Sequence, residues 1–194
     1  MNQTKFIDEV LGQLPGFSNT GTFFYVTPFD HVLTGFGLEI TAKGAFLIRF
    51  VYPLFFKFEC LTLTYSDRFK GLDGYLDFKE IEEKSLPVEF ISRIKERMGE
   101  AKNCLTIQQF CTHVLGNRAL QEISHVQMVL GYAYILAGDK QAALEWLTRS
   151  VKNLSDRYRA ECLSIMKLLN QDLFLAEKKI RDFEQEMKKI LGIT

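Results

Sequence analysis

The chain lacks any apolar run long enough to cross a membrane. Its longest stretches are interrupted at Arg49, Pro53 and Lys57, and none reaches the roughly 18 residues that a span needs. It also lacks net charge, because 24 basic side chains balance 24 acidic ones. Up to residue 80 there are seven Lys/Arg against nine Asp/Glu, so no basic half exists to hold phosphates. Binding of nucleic acid by bulk electrostatics is therefore not expected. Cysteine is sparse: Cys60, Cys104, Cys111 and Cys162 form no C-x-x-C pair. The opening residues, MNQTKFIDEVLGQL, carry acidic groups where a secretory signal would be apolar. These features predict a reduced, cytoplasmic setting without structural disulfides.

Signatures of chemistry are missing as well. His31, His113 and His125 make no H-E-x-x-H or Cys/His cluster, which leaves no metal-ligand pattern. No G-x-S-x-G is present. Gly35 and Gly37 fall inside strand alternation, without the third glycine or the following helix of a phosphate-binding turn. Asp73 and Asp77 lack the ligand spacing and closing glutamate of a calcium loop. No metal and no cofactor is expected.

What the chain does have is aromatic weight at one end. Fourteen of its seventeen phenylalanines precede residue 91, so a sheet-rich part should come before a helical part. The expected class is α+β. An N-terminal helix should be followed by an antiparallel sheet of four to five strands, then by a helical half ending in a long amphipathic helix. The expected division is 1–85 and 86–194, as two parts or as one integrated domain. At 194 residues the chain can bury a sizeable core without staples.

Apolar positions Phe6, Ile7, Val10, Leu11 and Leu14 recur at helical spacing until Pro15-Gly16 stops them. A strand is predicted over Thr20–Thr27. The clearest one is Val32–Thr41, where Val32, Thr34, Phe36, Leu38 and Ile40 share one face. Gly35 and Gly37 on its other face invite the close approach of another backbone or a bulge. The stretch from Gly44 to Phe69 is the densest apolar block. It reads as two core strands, broken at Pro53 and shifted in phase near Cys60. Phe69–Ser85 reads as a loop with a short helical piece. A helix from Leu86 to about Asn103 should follow, then a second one capped by Thr106 and ending at Gly116-Asn117. The last helix is predicted as one element from Asp156 to Leu191, with a heptad seam through Cys162, Met166, Leu169, Leu173, Ala176, Ile180, Phe183, Met187 and Ile190.

Candidate binding residues are Arg49, Tyr65, Asp67 and Arg68. Tyr65-Ser66-Asp67-Arg68 follows directly on the core block, where a rigid strand can present polar groups. Arg49 is the one charge within the first core strand, and Glu39 is its natural cross-strand partner. No catalytic residue is indicated.

Two resemblances follow from these patterns. Ile123–Leu154 resembles one tetratricopeptide repeat, through Leu130-Gly131, Tyr134, Gly138, Ala143 and Leu147. The resemblance implies a packed helix–turn–helix, with Gly131 and Ala143 as the points of closest approach. Gln127, Ser150 and Ser155 depart from the family's preferred Trp, Ala and Pro, and no second copy is legible at a period of about 34 residues. The N-terminal part, about residues 1–85, looks loosely like the immunity proteins that bacteria carry against polymorphic toxins. That resemblance implies an exposed sheet face and loops that clamp a toxin.

The expected function is that of a non-enzymatic cytosolic protein-binding protein, of immunity or adaptor type. The alternative is a small-ligand binder or enzyme with a pocket between sheet and helices, on which Arg49, Tyr65, Asp67 and Arg68 would converge. A protein partner is expected, and a homodimer through Leu173, Ile180, Phe183, Met187 and Ile190 is the further possibility that the last helix raises.

Overall fold

The computed structural model describes residues 3–57, 64–68, 74–77, 91–92, 94–96 and 106–193. Its class is α+β: an N-terminal helix, an antiparallel sheet, and a helical second half ending in a long helix. The chain divides into two compact units. The first is Met1–Tyr52 with Thr62–Leu105, and the second is Pro53–Leu61 with Thr106–Thr194.

In the first unit, α1 (Gln3–Gly12) precedes β1 (Phe17–Thr20), β2 (Phe23–Val26), β3 (Val32–Ile40) and β4 (Gly44–Pro53). Two short strands, β5 (Asp67–Arg68) and β6 (Tyr75–Asp77), both pair with β4. The main strands run in sequence order through the sheet. The strand expected over Thr20–Thr27 is β2, which begins at Phe23, and a further strand, β1, precedes it in a hairpin. Gly21, at φ 57°, turns the chain between β1 and β2, a conformation open to glycine at little cost. Tyr75–Asp77 was expected in a loop and forms a strand opposite Gly44–Phe46. The expected phase shift near Cys60 and most of the expected Leu86–Asn103 helix lie outside the described residues, although Ile91 and Ile94 have helical backbone.

The alternation of β3 sets the core. Phe36 and Leu38 join Phe24, Ala45 and Leu47 of neighbouring strands, and Val10, Leu14, Ile91 and Ile94 complete the cluster. Phe24 lies opposite Phe36 in the register, and their rings stack at 4.7 Å. Each such side chain taken from water contributes about 1.5–3 kcal/mol. On the opposite face, the Phe23 ring covers Gly37, where an added Cβ would meet it at 2.9 Å. At Gly35 an added Cβ would run into the backbone of Phe24. Gly35 thus serves the close backbone approach that the sequence predicts, whereas Gly37 makes room for a ring.

The second unit holds α2 (Ile107–Leu115), α3 (Arg118–Gln121), α4 (Ser124–Leu136), α5 (Lys140–Val151), α6 (Asp156–Gln171) and α7 (Leu173–Leu191). Thr106 caps α2, and Gln109 closes a capping box with it, satisfying two backbone donors that the helix itself leaves over. Asp139 accepts from the Ala142 N–H at 3.0 Å and starts α5. Between α4 and α5, a Cβ on Gly131 would come within 2.6 Å of Leu147. The missing side chain is what admits that leucine.

The expected single last helix is two. Asp172 adopts extended backbone at φ −159° and ψ 131°. Its N–H still donates to the Leu168 carbonyl at 2.8 Å, while its carboxylate accepts from the Phe174 N–H at 2.9 Å. One residue therefore ends α6 and caps α7. The apolar seam continues past it, which is why the periodicity alone hides the break.

Candidate functional site

The four residues marked by sequence come from β4 and the segment that pairs with it. Arg49 lies directly opposite Asp67, and Ile48 opposite Arg68. The Val51 N–H donates to the Tyr65 carbonyl at 3.3 Å, which continues the same register. Neighbouring strand positions alternate between faces. Arg49 and Val51 therefore share one face of β4, and Ile48 and Phe50 the other. Tyr65 is 3% exposed, and burial pushes its phenol pKa far up. Arg49 is half-buried and Glu39 exposed. Leu33, Ile48 and Phe50 are buried, whereas Ile40 and Phe46, toward the β3–β4 turn, are exposed.

A different constellation is built in the helical unit, around the chain that leaves β4. Leu54 and Phe55 form a turn and Phe56 a bend. All three side chains are fully buried. Phe55 meets Phe110 of α2 edge-on at 5.7 Å. Phe56 lies 5.8 Å from Tyr132 of α4 and 5.7 Å from Tyr158 of α6, ring centre to ring centre. Lys57 follows. Its ammonium pairs with Glu186 of α7 and sits 4.7 Å from the centre of the Phe183 ring. The expected second core strand, with Phe56, Phe58 and Cys60 on one face, thus begins as a turn that fills a helical unit. Phe58 and Cys60 lie outside the described residues.

Helical spacing explains how the seat is made. Phe183 and Glu186 stand three apart on α7, and Tyr158 and Glu161 three apart on α6, so each pair shares a face. The Tyr132 hydroxyl donates to Glu161 at 2.9 Å. Burial first, and the Glu161 carboxylate second, raise the Tyr132 pKa well above its ordinary value, so the phenol stays a neutral donor. Glu184, itself buried, pairs with Lys188 at 2.6 Å. The seat thus offers aromatic surface to two consecutive rings, then a carboxylate and a ring face to one cation. Burial of the rings supplies most of the hold. A partly exposed ion pair adds about 0.2–1 kcal/mol, and the cation over the ring about 0.5–1 kcal/mol.

Thiol chemistry is not favoured at Cys111 or Cys162, the two cysteines among the described residues. Burial pushes Cys111 up to about 11. Cys162 is raised mainly by burial, and it lies 3.4 Å from the Ser150 hydroxyl. Both are protonated near neutral pH, and the thiolate is the reactive form. His125 is half-buried, and burial lowers its pKa.

Among the helical residues expected to meet a second copy, Ile180, Phe183 and Met187 are buried within the chain. Leu173 is half-buried and Ile190 is 63% exposed. Phe174, at 66%, is the most exposed of the large apolar side chains described. No helix among the described residues is long and apolar enough to cross a membrane.

No protein-family model matches the chain, and no curated protein or solved structure does either. Sequence reasoning missed Phe55, Phe56 and Lys57 as a group seated on helices. The available signal was Pro53, after which strand hydrogen bonding is hard to continue, followed by two adjacent aromatics that alternation cannot place on one strand face.

Proposed function

We propose that the protein is a non-catalytic cytoplasmic adaptor that binds a protein partner through its helical unit. The observation that carries this reading is the seat itself. Four helices, α2, α4, α6 and α7, supply the side chains that hold a short non-helical segment, Leu54–Lys57. A helical unit that holds such a segment within itself uses the side-chain chemistry of peptide recognition: aromatic anchors with a charge beside them.

Helix spacing supports the same reading. α6 begins 32 residues after α4, at Asp156 against Ser124, and α7 begins 33 after α5, at Leu173 against Lys140. That interval is close to the tetratricopeptide period of 34 residues. Stacked helix pairs of this kind work as binding surfaces. The exposed Phe174 and its neighbour Leu175, 42% exposed, lie at the start of α7 and give a partner an apolar anchor. Against an enzyme that would use Cys111 or Cys162 stands the protonated state of both thiols.

The test is affinity capture from the native host with the full chain and with the Phe174→Asp/Leu175→Asp variant. The proposal expects a protein retained by the parent and lost by the variant at unchanged thermal midpoint. Equal recovery on both, or no protein on either, contradicts it.

A further inference from the structure

We draw no further inference here: the strongest candidate, the exposed apolar pair Phe174 and Leu175 at the start of α7 with Lys178 and Lys179 one turn on, belongs to the surface already proposed for the partner, and with Asp172, Glu177 and Asp182 beside those cations nothing in the structure shows what chemistry covers it.

Discussion

The Lys57 ammonium lies 4.7 Å from the centre of the Phe183 ring, and the Lys179 ammonium lies 5.1 Å from that ring. Phe183 is 2% exposed, so two cations from distant parts of the sequence meet on one buried aromatic. Lys57 also pairs with Glu186. Its contribution should still be modest, because both charges remain partly in water. Lys57→Ala should lower stability by about 1–2 kcal/mol, and Phe56→Ala by about 3–5 kcal/mol. Urea unfolding midpoints of the two variants compare them directly. A Lys57 effect as large as the Phe56 effect would mean that charge holds the segment, contrary to the account.

Gly131 should resist the substitution that helix propensity favours. Alanine in place of glycine gains about 1 kcal/mol in an open helix. Here the new Cβ would come 2.6 Å from Leu147, and overpacking costs typically about 1–3 kcal/mol. Gly131→Ala should therefore destabilise. Leu147→Ala alone should also destabilise, by about 2–5 kcal/mol. The double variant should lose less than the sum of the singles, since the clash and the cavity offset each other. Strict additivity in a denaturation cycle would show that the two helices do not meet at this point.

Asp172 should behave as a cap even though it sits inside an apolar periodicity. Asp172→Ala removes the acceptor for the Phe174 N–H and should cost about 1 kcal/mol, whereas Asp172→Asn should retain most of it. Asp139→Ala, which removes the equivalent bond to Ala142, provides an internal standard of similar size. A neutral Asp172→Ala in thermal unfolding would argue for one continuous last helix.

The acid side of the stability profile should depend on His125. Burial lowers its pKa from 6.5, so below about pH 6.5 the unfolded chain takes up a proton that the folded chain still refuses. Stability should therefore fall as pH drops through that value, and level off once the folded-state pKa is passed. His125→Gln should remove this contribution. The fall in thermal midpoint between about pH 7.5 and about pH 5 should be smaller in the variant. An unchanged or steeper fall would contradict the assignment.

Several elements were legible in the residues alone. The alternation of Val32, Phe36 and Leu38 gave the strand and its core face. Thr106 announced its helix, and the small Gly131 announced a close helix contact. The misses share one cause. Apolar spacing reports that a residue is buried but not against what. Phe55 and Phe56 are as apolar as strand residues and occupy a turn seated on helices. The heptad through Asp172 is real as a burial pattern, since Leu169, Ala176 and Ile180 are all buried, but a capping aspartate divides it. Tyr75–Asp77 was hidden among Gly and Asp turn signals, because a three-residue strand carries too little alternation to stand out. The seat depends on contacts that join residues from 55 positions apart, Phe55 to Phe110, to 129 apart, Lys57 to Glu186, and no local pattern encodes such distances.

The central claim is that the helical unit binds another protein, and in-cell photocrosslinking tests it most directly. A benzophenone side chain replaces Phe174 in the full chain, expressed in the native host, and the cross-linked products are identified by mass spectrometry. The account predicts a cross-link to a second protein, lost when Leu175 is changed to Asp. Products that join the chain only to itself, or no product at all, would contradict it.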